Sequence, residues 1–226
     1  MQNGIIRGTV VALLALGLGG CVSSGGGGGG GTTGGGTTGG GGASSGAFDA
    51  AVSRVQGLGA TIDMPTSLNA TFTGQARVDL IDSSTSATTG EAFADLDLAI
   101  DWVDGPSATG GVWSGSASNI QGTDDGIAFT TTGTLDVHAP TSSADAVSAA
   151  GVTTGSYMVN LAGELQVDDG TTVDTQYGAL QLGGFFYGPG GSAMWGTAIG
   201  AVGDTPLAPG ATSGDVLMSG EFYAEQ

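Results

Sequence analysis

Lysine is absent from this chain of 226 residues, and basic residues of any kind number three: Arg7, Arg54 and Arg77. Without a lysine there is no P-loop, whose ammonium reaches the nucleotide phosphates. Set against 21 acidic residues, the three arginines leave a formal charge of −18. Such a surface repels nucleic acid and anionic lipid headgroups. It reads first as solubility and second as attraction for a basic partner or for cations. There is one histidine, His138, close to Pro140, with no second histidine or cysteine nearby. That leaves a transition-metal site without a ligand set, so His138 reads as a surface imidazole. No apolar run reaches the roughly 20 residues that span a bilayer. Helical periodicity is confined to residues 47–58. With no crossover helices between later elements, neighbouring strands must be antiparallel.

The lone cysteine, Cys21, sits between an apolar run and a glycine tract, "LALGLGGCVSSGGGGGGGTTGGGTTGGGG". Residues 1–20 carry Arg7 in a short n-region, then a stretch rich in Val, Leu and Ala, which is the form of a secretory signal peptide. Leu18-Gly19-Gly20-Cys21 resembles the bacterial lipobox, where the chain is cut before the cysteine and its sulfur acylated. By the same resemblance Val22, rather than an aspartate, after Cys21 implies delivery to the outer membrane. Residues 21–46 then form the acylated cysteine and a Gly/Thr/Ser tether, too poor in apolar surface to offset the entropy of ordering. As a coil its 25 residues after Cys21 span roughly 25–30 Å. Gly42-Ala43-Ser44-Ser45-Gly46 matches G-x-S-x-G, and the glycine runs match G-x-G-x-x-G. No strand leads into either, so neither carries a nucleophile or a phosphate site.

Residues 47–226 are long enough for one good core. A short helix over 47–58, with Phe48, Val52 and Val55 on one stripe, is expected to seal an end of the domain or pack on its side. Beyond it the period becomes two. Strands are expected near 68–81, 92–103, 111–121, 126–138, 154–167, 174–187, 192–202 and 213–224. Ala94, Leu96, Leu98, Ile100 and Trp102 share one face of the second, and Asp95, Asp97 and Asp101 the other. Asp104-Gly105, Asp124-Asp125-Gly126, Asp168-Asp169-Gly170 and Gly188-Pro189-Gly190 supply turns. Eight meandering strands close most economically into an up-and-down barrel, which removes exposed edges. The fold expected is therefore all-β: an eight-stranded antiparallel up-and-down barrel with a filled apolar interior, preceded by one short helix. A membrane barrel would turn the apolar face to lipid. The long tether and the lack of aromatic girdles favour the version with its apolar face inside.

The segments "TFTGQARVDL", "GEAFADLDLAIDW", "GVWSGSASNIQG", "GSYMVNLAGELQ" and "GALQLGGFFYGPGGSAMWGTAIGAV" resemble the barrel domain of transferrin-binding-protein-like surface lipoproteins, over about residues 68–224. Gly184-Phe185-Phe186-Tyr187-Gly188-Pro189 is the most specific piece, similar to a G-x-F-Y-G-P hairpin of that family. Gly191 to Trp195 depart from its continuation, which carries acids and a second glycine. The resemblance implies an eight-stranded barrel on an outer-membrane, surface-exposed lipoprotein. For members with known roles it implies an iron, haem or host-protein ligand. It transfers no binding residue.

Read from its own residues, the hairpin is structural: Phe185, Phe186 and Tyr187 supply buried area, Gly188 to Gly191 turn the chain, and Gly196 permits close backbone approach. The stripe of Asp95, Asp97 and Asp101 offers divergent oxygens, not a calcium cage, with Arg77 as its expected cross-strand partner. Asp124, Asp125, Asp168 and Asp169 are turn residues. No nucleophile–base arrangement stands out. Cys21 is thus the one site residue expected, as the point of lipidation, with no catalytic, metal or cofactor residue. The functional expectation is a non-enzymatic binding protein, held to the membrane by its lipid on the periplasmic or extracellular face. It would hand a protein, metal or haem ligand to a partner transporter such as a TonB-dependent receptor. The alternatives are a structural or adhesive surface module and a lipocalin-like carrier.

Overall fold

The computed structural model describes residues 45–104 and 112–226. Cys21 and the segments expected to be signal peptide and tether, up to Ser44, lie outside the described residues. The one α-helix among the described residues, α1 (Ser45–Gly57), buries Phe48, Ala51, Val52 and Val55. These recur at spacings of three, one and three, the pattern of a single apolar stripe. The helix lies on the outside of the barrel, not across its end. Phe48 is fully buried between Phe93 (ring centroids 6.1 Å apart) and Tyr223 (5.4 Å), both on the outer face. The Arg77 guanidinium covers the Phe48 ring at 4.6 Å. Burying one such side chain contributes about 2–3 kcal/mol. Both arginines of the described chain hold this helix down: Arg77 donates to Asp49 of the helix at 2.7 Å, and Arg54 of the helix pairs with Glu225.

Ten strands follow among the described residues: β1 (Ser67–Asp82), β2 (Thr88–Val103), β3 (Trp113–Asp124), β4 (Ile127–Gly133), β5 (Leu135–Val137), β6 (Ser143–Ala149), β7 (Val152–Asp168), β8 (Val173–Tyr187), β9 (Ala193–Gly203) and β10 (Val216–Glu225). Every strand pairing is antiparallel. Consecutive pairings run round the sheet, and β10 returns to β1 through ten consecutive pairs, Thr73↔Glu225 to Asp82↔Val216. The sheet is thus a closed ring of eight staves. The fourth stave is not one strand over 126–138 but three short ones, β4, β5 and β6, laid end to end along the 17-residue β7. Register is continuous across Thr134, from Gly133↔Leu165 to Asp136↔Ala162. Between Val137↔Leu161 and Ser143↔Met158, five residues stand opposite two. The three surplus residues, Ala139–Thr141, are extruded as a 3-10 turn with Pro140 in it, where proline costs no ladder bond.

Strand β6 was not foreseen. Its sequence SADAVSA is weakly apolar, and its hairpin turn is Ala150-Gly151, with both residues at positive φ (52° and 82°). Alanine seldom adopts that conformation. The β3–β4 turn does use the expected chemistry: Asp125 (φ 49°) and Gly126 (φ 78°) form a two-residue loop closed by the Asp124↔Ile127 pair.

Alternation places Leu96, Leu98, Ile100 and Trp102 of β2 inside, and Asp95, Asp97 and Asp101 outside. At the end of the barrel where β1 begins, the interior is aromatic. Tyr157 packs edge-on against Phe186 (5.0 Å), Phe222 (5.9 Å) and Trp113 (6.0 Å), with Phe72 beyond (6.0 Å from Phe186). Burial pushes the Tyr157 hydroxyl well above its ordinary pKa, and it donates to the Trp195 carbonyl at 3.0 Å. Residues 60–64 cap this end: Met64 is buried, and Thr61 donates its hydroxyl to the Gly188 carbonyl at 2.7 Å. Toward the other end, ringed by the β1–β2, β3–β4, β7–β8 and β9–β10 turns, the lining becomes aliphatic and leaves a hollow of about 60 Å³.

Candidate functional site

The Gly184–Pro189 hairpin joins β8 to β9. Gly184 faces Gly196 across the two strands; a Cβ on Gly196 would lie 2.1 Å from the Gly183 carbonyl oxygen, so no larger residue fits. Phe186 points inward and is buried, while Tyr187 packs edge-on against Trp195 (5.7 Å) on the outer face. Gly188 (φ 73°) and Gly190 (φ 62°) turn the chain, and the Gly190 N–H donates to Asp63 Oδ1 at 2.9 Å. The hairpin is therefore the seat for the capping segment. One expectation fails: Phe185 is not buried but 58 % exposed. Its register opposite Ser156 and Trp195 puts it on the outer face, one residue out of phase with Phe186.

That exposed ring belongs to a cluster. The large apolar side chains left exposed among the described residues number nine, and five of them gather at one corner: Ile62, Val147, Val152, Met158 and Phe185. Val147 lies opposite Thr154, Met158 opposite Ser143 and Gly183, and Phe185 opposite Ser156, all on the outward side of β6, β7 and β8. Ile62 joins them through the Thr153 N–H, which donates to its carbonyl at 3.0 Å. Gathered exposed apolar residues mark contact surfaces more often than scattered ones do. No ladder partner flanks β6 on its side away from β7 among the described residues.

The remaining predicted residues separate. Asp95 accepts from the Gln75 and Asn119 side-chain amides, both at 2.9 Å, whereas Asp97 and Asp101 are exposed. Arg77 does not pair with this stripe. Its cross-strand neighbours are Phe93 and Glu221, and it bonds Glu221 (2.9 Å) and Asp49. His138 is exposed, with its Nδ1 3.0 Å from the Thr141 hydroxyl. Asp169 is a turn residue: its Oδ1 accepts from the Thr171 hydroxyl (2.6 Å) and from the Thr171 and Thr172 N–H groups (both 2.7 Å). The Thr171 hydroxyl, then these N–H groups, lower its pKa to about 2. No group of three or more His, Cys, Asp or Glu among the described residues is placed to hold a metal ion, and no described helix is long and apolar enough to cross a membrane.

Asp124 was read as a turn residue, but only its successors Asp125 and Gly126 make the turn. Its own side chain lines the aliphatic hollow, 5 % exposed, and its Oδ1 has no hydrogen-bond partner. The hydroxyl of Thr131, also in the lining, has no partner either. Sequence reasoning missed this site. The signal was the phase of Asp124, which falls on the inward side of β3 with Gly122.

Comparison with protein-family models, with curated proteins and with solved structures finds no match to this chain.

Proposed function

We propose that this chain is an outer-membrane lipoprotein, moored by fatty acyl chains on Cys21, that binds a partner protein on the outer face of its barrel. The observation that carries the binding reading is the corner formed by Ile62, Val147, Val152, Met158 and Phe185, beside β6, which has no second ladder partner among the described residues. The interior supports the same reading by its size. A hollow of about 60 Å³ is far below the ~300 Å³ at which ordinary small-molecule pockets begin, and haem is larger still. A large ligand therefore meets the outside of the barrel. The sequence resemblance to transferrin-binding-protein-like lipoproteins supports a host iron or haem protein as that ligand, and a TonB-dependent receptor as the recipient. The tether gives the barrel its reach from the membrane.

Two experiments test this reading. Labelled palmitate should enter the wild-type protein and not a Cys21→Ser variant. A photoreactive residue at position 185 should cross-link to an iron-loaded protein or to the receptor, while one at Val173, exposed but away from the corner, should not. Equal cross-linking from both positions, or from neither, would leave the structural or adhesive module as the better account.

A further inference from the structure

We propose that the turn-ringed end of the barrel takes up the end of an uncharged, unbranched alkyl chain, inserted tail first into the aliphatic hollow. The two ends of the barrel differ. Where β1 begins, Met64, Trp113, Tyr157 and Phe186 are each 5 % exposed or less, and residues 60–64 cap that end. At the other end the inward side chains Ile120, Phe129, Val167, Val216 and Met218 pack against the core yet are only half-buried. They wall the hollow of about 60 Å³, and a second of about 30 Å³ shares Ile120, Leu135 and Met218 with it. An interior sealed at one end is thus reached from water at the other.

The wall sets the chemistry of the ligand. Asp124 and Thr131 border the hollow, but their oxygens are closed off from it and the surface it presents is apolar throughout. Such a wall gives water no hydrogen-bond partner. What it favours is the removal of apolar surface from water, both its own and that of an incoming CH₂ group. A polar or charged group placed there would lose its hydration without compensation. The head of the ligand therefore stays outside, at the rim. Asp125, Asp168, Asp204 and Asp215 are exposed in or beside the turns around that rim, and no arginine among the described residues stands there. These carboxylates repel a chain that ends in a carboxylate of its own, whereas an uncharged head meets no such penalty.

Volume sets the shape of the tail. A cavity of about 150 Å³ accommodates benzene. The larger hollow is less than half of that, too narrow for a ring or a quaternary carbon. The two hollows together match roughly three or four carbons of a straight chain. This inference concerns the inside of the barrel and does not depend on where the protein is anchored or on what its outer face binds.

The test is a titration of the intact protein, labelled at the methionine methyls, with n-pentanol, its isomer neopentyl alcohol, and sodium pentanoate. Met218 lines both hollows, whereas Met64 and Met194 lie in the core and Met158 on the outer face. The site predicts a saturable shift of the Met218 signal with n-pentanol, with little movement of Met64 and Met158. Neopentyl alcohol and pentanoate should each bind at least tenfold more weakly. Along the series from ethanol to n-hexanol, affinity should rise about fourfold per carbon while carbons enter the hollow, then level off once it is full. Val216→Leu, which adds one carbon at the rim, should weaken n-pentanol by about the same fourfold. The isomer comparison needs no variant and holds even if that substitution disturbs the fold. No shift at Met218, equal binding of the two isomers, or equal binding of pentanol and pentanoate would each overturn the proposal. So would an affinity that climbs through n-hexanol with every methionine drifting, which would mean partition onto apolar surface at large.

Discussion

Gly183 and Gly196 both lie in the β8–β9 ladder, yet their surroundings differ. A Cβ on Gly196 would meet the Gly183 carbonyl oxygen at 2.1 Å and the Gly184 Cα at 2.9 Å, whereas one on Gly183 would find nothing nearer than 4.0 Å. Gly196→Ala should therefore destabilise the barrel by about 2–4 kcal/mol. Gly183→Ala should be neutral or slightly stabilising, since it only narrows the unfolded ensemble. Urea unfolding of the two variants decides this. Asp169 offers a second test at this scale. Its pKa in the fold, about 2, lies below the ordinary aspartate value of 3.8. The turn it braces is thus fully held above about pH 4 and released as pH falls through about 2. A carboxyl titration followed by NMR should find that midpoint, and Thr171→Val should move it upward.

Helix α1 is an attached element, and its attachment is specific. Phe48→Ala should cost about 3–5 kcal/mol if helix and barrel unfold together. Should the helix undock by itself, its amides would exchange quickly while β7 and β8 stay protected; hydrogen exchange on the variant separates the two. The elements also show what the sequence made legible. Seven of the eight expected strands lie close to their observed ranges, because strict alternation of apolar and polar residues leaves one choice of inward face. The fourth was misread as a single strand. The ladder to β7 conceals the break at Thr134, and the weak apolarity of SADAVSA with an Ala-Gly turn conceals β6. The helix was legible from its stripe. Its place on the side of the barrel depended on Phe93 and Tyr223 facing outward, which emerges only when the registers of β2 and β10 are fixed.

For the whole molecule, closure of the ring decides what the barrel can do. The closed interior holds a hollow of only about 60 Å³, so the partner proposed above would meet the outer face, where Phe185 is 58 % exposed. Phe185→Glu should abolish capture of a partner there while shifting stability by less than about 0.5 kcal/mol, the usual range for surface changes. That face and the Asp124 site were poorly legible in sequence for one reason. Each depends on phase: Phe185 and Phe186 are adjacent and alike but face opposite ways, and Asp124 resembles Asp125 until the ladder turns it inward. The measurement that tests the central claim most directly is amide hydrogen exchange along the seam between β1 and β10. Ten consecutive pairs, Thr73↔Glu225 to Asp82↔Val216, join the first strand to the last. A closed ring predicts protection there comparable to that of β7 and β8, which thirteen pairs join. Seam amides exchanging as fast as those of the Asp168–Thr172 turn would show an open sheet and contradict the account.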